Sequence, residues 1–355
     1  MLQGPVSCCF TFLVCSFSAL HQHNAYVYPT MHSRFSGQFE FALGSMLNYF
    51  YAYFAAGFSV GAIFESKLLV VDEFCRSIEK NGFASSFQIH RQFVMNLRQK
   101  SHQPTVLDGP AFHQETALAE MNDNSRKMTL RDASIFRLQL AFIFKDADCM
   151  ASMLEILSGY PFEDQVISRF FIRACFMGLA AFSIAEKNSV IGNQCLSYFR
   201  RMMKLGSINA PPAYFFIMAL KNPSKKSFTA AVESCIEASM PHLEAMARER
   251  FAIFLQTQNE TDLANSHITC AYFLYRDWGA DGKALALTKE YPFLETAART
   301  KARSITSSRA DTAKHTTAST TASALDASVK INGIIRKRGV FEFNSALSRR
   351  QLVRK

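Results

Sequence analysis

The chain has 355 residues, 49% of them hydrophobic, with 33 phenylalanines against a single tryptophan. So much apolar surface excludes a generally disordered protein, because it must be packed away from water. The net charge of +10 has a narrow origin: residues 296–355 hold 13 Lys and Arg against 3 Asp and Glu, whereas residues 1–295 hold 26 of each and are neutral. The rest of the chain therefore lacks the broad basic field of a nucleic-acid-binding domain.

Residues 1–34 form the first segment. Met1 to Ser33 carries no charged side chain, and Val6–Leu20 is as apolar as the core of a signal peptide. A positive flank and a small-residue cleavage site are missing, so a helix of a truncated helical array is expected there, with a targeting segment as the alternative. Phe41–Phe64 is a second uncharged run, long enough in principle to cross a bilayer. Asn48, three tyrosines and the Gly57-Phe58-Ser59 break instead predict two packed helices joined by a turn. Just after it, Glu65, Asp72, Glu73 and Glu79 alternate with Lys67, Arg76 and Lys80, which reads as a solvated helix face.

From residue 35 to 295 the pattern is helical throughout, with apolar side chains at three- and four-residue spacing. The breaks carry helix-ending chemistry: Asn81-Gly82, Asp108-Gly109-Pro110, Ser158-Gly159-Tyr160-Pro161, Leu205-Gly206, Ala210-Pro211-Pro212, Asn222-Pro223 and Trp278-Gly279. No alternating β-branched run occurs, so a body without sheet is expected. Within Gln165–Glu186, apolar residues cover every side of the helix, which predicts burial on several sides. Near the end of the body a spacing of 36 aligns Phe215 with Phe251, Phe228 with Ala264, Val232 with Ile268 and Cys235 with Ala271. Those offsets follow the tetratricopeptide (TPR) pattern, in which small residues let paired helices approach. An ordinary antiparallel helical domain is the alternative. The nine cysteines include no CxxC pair and sit mostly in apolar helical runs, as buried reduced thiols of a cytoplasmic protein would.

Residues 296–328 are rich in Ser, Thr and Ala and read as a disordered linker. Residues 329–355 form a basic tail, with a short helix expected near 323–338.

One stretch carries a family resemblance. Ala264-x6-Ala271-x3-Tyr275-x2-Trp278-Gly279-Ala280-x2-Lys283-x3-Leu287-x3-Tyr291-Pro292 resembles the last helix pair of the TPR-like helical-repeat region of large multidomain signalling ATPases. These proteins carry an AAA/STAND-type, origin-recognition-like ATPase, often with protein-kinase, histidine-kinase or cyclase modules. "VMNLRQKSHQPTVLDG" (Val94–Gly109), "LQLAFIFKDAD" (Leu138–Asp148) and "FFIRACFMGLAAFSIAEK" (Phe170–Lys187) resemble earlier landmarks of the same region, in the same order. The chain departs from the pattern at Val190–Leu205, which has Arg200, Arg201 and Lys204 but no Trp. The resemblance implies an all-α fold: a TPR-like α-solenoid of stacked antiparallel helix pairs with a disordered basic C-terminal tail. In it, Tyr275, Trp278 and Gly279 would form a structural cap over the open end.

Motifs of catalysis are not found. Gly279-Ala280-Asp281-Gly282-Lys283 lacks the spacer and the Ser/Thr of a phosphate loop. His21, His23 and His32 have no acidic or Cys partner at metal-ligand spacing. The expectation is a non-catalytic protein–protein interaction or regulatory scaffold without cofactor or metal, resembling a relay region. Its partner would be a protein or peptide, for instance an ATPase or kinase module, meeting a face that includes Glu249 and Gln256. No small-molecule substrate, nucleic acid or membrane is expected as partner. The alternatives are a nucleic-acid- or membrane-surface-binding role for the basic tail and membrane association through the apolar N-terminal half.

Overall fold

A computed structural model describes residues 39–77, 81–99, 103–119, 123–162, 168–184 and 188–297. The expectations for residues 1–34, for the linker and tail beyond residue 297, and for His21, His23, His32 and Glu79 lie outside the described residues. The described chain is all-α. Its helices are α1 (Phe39–Ala55), α2 (Ala62–Ser77), α3 (Asn81–Arg98), α4 (Gln114–Ala119), α5 (Asp123–Phe144), α6 (Ala147–Ser158) and α7 (Ser168–Ala181). They continue as α8 (Ser189–Lys204), α9 (Ala210–Lys221), α10 (Lys225–Glu237), α11 (Pro241–Thr257), α12 (Thr261–Trp278) and α13 (Asp281–Glu290), with a final helical turn over 293–297.

Local chemistry sets the boundaries. Asp146 accepts from the Cys149 amide at 3.0 Å and starts α6, and Asn188 does the same for α8 through Ile191. Ser224 and Ser227 close a reciprocal capping box on α10. Pro211-Pro212, read as a break between helices, occupies the first turn of α9, where a missing N–H costs nothing. α12 ends on Gly279 in the left-handed region at φ 92°. The expectation of no sheet needs one correction. Asp108–Gly109 (β1) pairs antiparallel with Phe112–His113 (β2) in a hairpin two residues deep. A side chain at Gly109 would lie 2.7 Å from the Gln92 amide nitrogen and would have to displace the Gln92 amide that holds the hairpin to α3.

Consecutive helices pack as pairs: α2 with α3, α5 with α6, α7 with α8, α9 with α10 and α11 with α12. The odd-numbered members α3, α5, α7, α9 and α11 also touch one another in succession, forming a continuous layer backed by their partners. The 36-residue spacing relates the last two pairs: Phe228, Val232 and Cys235 of α10 and Ala264, Ile268 and Ala271 of α12 are all buried. α7 is the hub. Every residue from Phe170 to Ala181 is buried, and α7 packs on α1, α5, α6, α8 and α9. Gly178 permits this crowding, since a methyl there would meet Ile217 Cδ1 at 2.5 Å and Cys195 Cβ at 2.9 Å. Arg173, the one charge in this run, spends its guanidinium on the carbonyls of Leu157, Tyr160 and Pro161, where α6 ends.

Two sets of contacts reach beyond sequence neighbours. α1 lies on α3 and α7, and α13 returns to α3. No described helix is long and apolar enough to cross a membrane, and the Phe41–Phe64 run is divided between α1 and α2 as its central glycine predicts.

Candidate interaction site

Glu249 was expected on an open face, and the structure places it elsewhere. It is 2% exposed. Its Oε1 receives Lys283 Nζ at 2.8 Å and lies 3.3 Å from Lys145 Nζ, while its Oε2 accepts from the Tyr275 hydroxyl at 2.9 Å. The knot joins α11, α12, α13 and the end of α5. Burial alone would push the Glu249 carboxyl up, but Lys283, Lys145 and Arg250 outweigh it and hold the carboxyl at about 2. Lys145 also reaches Glu290, and it sits in the left-handed region at φ 64°. Lys283 is consumed by this knot, and Gly282 beside it packs where a side chain would meet the Gln99 carbonyl oxygen at 2.3 Å. The glycine–lysine pair thus serves helix packing, with its ammonium turned to Glu249 and not to a phosphate. The structure brings Tyr275 and Glu249 together; Gln256 is exposed at the far end of α11.

Trp278 and Gly279 occupy a joint between distant parts of the chain. Trp278 Nε1 donates to Phe58 O at 3.0 Å, and the Val60 amide donates to Trp278 O at 2.8 Å. His242, near the start of α11, packs its ring 5.6 Å from the indole and lies 2.1 Å from where a Gly57 side chain would be. A side chain at Gly279 would approach Gly61 N to 3.0 Å. Trp278 therefore does not lie over an open end. It closes the helical array onto the α1–α2 connection. His242 has no charged neighbour to support its cation, and burial pushes it down to about 3.

A third group was not foreseen as a unit. His90 (α3) lies among Phe50, Tyr51 and Phe54 of α1 and Phe136 of α5, with ring centroids 4.5–6.3 Å away. Its Nδ1 is 2.6 Å from Ser86 O and must donate there, leaving Nε2 a bare acceptor without partner. Beside it are the buried Tyr51 hydroxyl, which interacts with the Asp132 carboxyl, and the buried Asp132 Oδ2. Arg131 and Arg169 reach only the other Asp132 oxygen, at 3.5 and 3.7 Å. Burial pushes His90 down to about 4, and it raises Asp132 despite the two arginines. The signal for His90 was in the sequence: Phe87, His90, Val94 and Leu97 recur at helical spacing, which puts a histidine on the buried stripe. Asp72, read as part of a solvated face, is likewise buried, held by Arg76 at 3.0 Å and by Gln88 at 3.0 Å.

The surface that α9 leaves open is partly apolar. Pro211, Tyr214, Phe215, Met218 and Lys221 follow three- and four-residue spacing and are half-buried, whereas Pro212, Ala213, Phe216, Ile217, Ala219 and Leu220 are buried. Among the described residues no three His, Cys, Asp or Glu side chains are placed to hold a metal ion. Four of the described thiols, those of Cys75, Cys175, Cys195 and Cys235, are buried, and burial pushes each well above its usual range, where it is unreactive. Compared with known proteins, the chain matches no family model, no curated protein sequence and no solved structure.

Proposed function

We propose that the chain is a non-catalytic interaction or regulatory scaffold that receives a protein or peptide partner on its layer of odd-numbered helices, in the manner of the relay region it resembles. The observation that carries this reading is the succession α3, α5, α7, α9 and α11, each touching the next and each backed by a partner helix. Where α9 and the end of α11 leave it uncovered, such a layer offers a surface to a peptide or helix and needs no pocket. The half-buried aromatic and methionine row on α9 supplies adaptable apolar contacts of the kind that anchor a partner. The buried polar groups serve the fold: Glu249, Lys283 and Tyr275 satisfy one another. A photo-crosslinking residue at Phe215 or Gln256, with Glu233 on α10 as a control position, tests the reading in cells. A discrete protein adduct at the first two positions and none at the control is expected. Adducts to nucleic acid or lipid alone, or equal labelling at all three positions, would refute it.

A further inference from the structure

The neutrality of residues 1–295 is an average over unequal parts. Between Glu186 and Glu233 the chain has no Asp or Glu over 46 residues, where the average of 26 in 295 would place about four, and it has seven Lys and Arg. All of α8 and α9 lies in this stretch. The cations of that pair therefore have no acid on their own helix or on the facing one. Lys225, at the start of α10, reaches Glu260. Among the described residues, no ion pair involves Arg200, Lys204 or Lys221.

α8 and α9 pack side by side. Arg200 Nη2 donates to the Tyr214 hydroxyl at 3.3 Å, and its guanidinium lies over the Tyr214 ring at 5.7 Å. Toward the other end, Lys221 Nζ donates to Asn193 Oδ1 at 2.8 Å and lies 5.8 Å from the Phe182 ring centroid. The two contacts join positions seven residues apart on each helix, which is two turns or about 10 Å along an antiparallel seam. Lys204 follows Arg200 by one turn on the same side and is exposed. Met218, half-buried, lies one turn past Tyr214, between the two cationic ends. The seam thus presents positive charge at both ends and an apolar stretch between them. The contacts of Arg200 and Lys221 are with neutral groups, so an incoming carboxylate breaks no ion pair.

We propose that the α8–α9 seam takes an acidic peptide segment, with carboxylates on Arg200, Lys204 and Lys221 and an apolar side chain between them on Tyr214 and Met218. This deepens the interaction reading, on which it rests, by naming the chemistry of the partner. Charge selects the occupant. Residues 296–355 of the chain itself carry a net of +10 and are repelled. A nucleic acid supplies phosphates, but its bases stack on open aromatic faces. Here the Arg200 guanidinium covers a face of Tyr214, and Phe215 meets the same ring edge-on at 5.5 Å. A helix suits the spacing: acids at i, i+7 and i+11, with large apolar residues at i+3 and i+4, share one face.

The probe is a fluorescein-labelled helical peptide of about 16 residues, long enough for three turns between its outer acids, with Glu at i, i+7 and i+11 and Leu and Phe at i+3 and i+4. Its counterpart has Lys in place of each Glu, and binding to the full chain is followed by polarisation. The acidic peptide should bind at least about tenfold more tightly than the counterpart. Arg200→Glu and Lys221→Glu should each weaken it about fivefold or more, while Lys289→Glu on α13 leaves it unchanged. A second measurement needs no variant: carbodiimide condenses a bound carboxylate with an adjacent lysine amine to an amide and is itself hydrated to the urea. Peptide adducts should fall on Lys204 and Lys221, and this result decides alone if a reversed variant loses its helical circular dichroism. Equal binding of the two peptides, binding indifferent to both reversals, or adducts confined to the lysines of residues 296–355 would each overturn the proposal. So would a single-stranded oligonucleotide or anionic vesicles that bind more tightly than the peptide and depend on the same two cations. Peptide binding without a cellular adduct at Phe215 removes the interaction reading and leaves the acid-binding seam; the converse removes the acid preference alone.

Discussion

Glu249→Gln isolates the charge of the buried knot while keeping its shape. Glutamine can still accept from Tyr275, but it takes away the negative charge that Lys283, itself 2% exposed, depends on. The carboxyl stands at about 2 in the folded protein against an ordinary 4.5. That difference corresponds to roughly 3 kcal/mol in favour of the ionised form. Because the pair is buried, solvent screening removes little of it. Leaving a buried lysine uncompensated costs about 3–5 kcal/mol by the usual range for such pairs. For a body of this size a loss of about 3–5 kcal/mol translates into a melting temperature lower by roughly 6–20 °C. The assay is urea and thermal unfolding followed by far-ultraviolet circular dichroism, with Lys283→Met and the double variant completing the cycle. The double variant should be less destabilised than the sum of the singles, since it leaves no orphan charge. The sign with pH is fixed as well. A carboxyl depressed on folding contributes stability above its unfolded value near 4.5, and loses it as pH falls toward 2. A Glu249→Gln protein within about 1 kcal/mol of the native one would show that the knot is not a net stabiliser and refute the reasoning.

Three further outcomes follow from buried groups. His90 and His242 are held down to about 4 and about 3 by burial; the unfolded chain takes up protons below about 6.5 that the folded chain refuses, so each costs about 1.4 kcal/mol per pH unit as pH falls. Unfolding free energies from urea titrations at pH 7.5 and pH 5 should therefore differ by about 4 kcal/mol, and His242→Gln should remove roughly half of that; an identical pH dependence in the two proteins would count against a neutral buried His242. Gly282→Ala puts a methyl 2.3 Å from the Gln99 carbonyl oxygen and 2.9 Å from that of Leu97; both are backbone atoms that cannot swing aside, so a loss of about 1–3 kcal/mol is expected, with faster hydrogen exchange confined to α13 and the end of α3. Arg173→Met keeps the apolar stem but strips three carbonyls of their donor, for an expected loss of roughly 2–4 kcal/mol by chemical denaturation.

The sequence reveals the helices because apolar periodicity and glycine–proline breaks are local properties. It also marks α7 as a buried hub and divides α1 from α2, since twelve uncharged residues in a row or a Gly-Phe-Ser break need no partner to be read. Glu249 fails by the same logic. A glutamate on the same helix as Gln256 reads as part of an interaction face, and its true partner, Lys283, comes 34 residues later. Asp72 fails likewise, because Gln88 lies 16 residues away on the next helix. The place of Trp278 was only half legible. Its helix end was written in Gly279, but the carbonyl that accepts its indole N–H belongs to Phe58, 220 residues earlier.

The loop after α3 and the turns after α5 and α6 are fixed by hydrogen bonds. Asn96 donates to the carbonyls of Pro104 and Val106, and Gln92 accepts the amide of Ala111, so α3 holds the loop that follows it. The Thr105 hydroxyl then donates to Asp146 at 2.7 Å while Arg137 donates to the Thr105 carbonyl, tying that loop to the α5–α6 turn. Arg173 fixes the turn after α6. Apolar contact between helices is non-directional and tolerates sliding, so a few buried, directional bonds of this kind decide how successive pairs sit on one another.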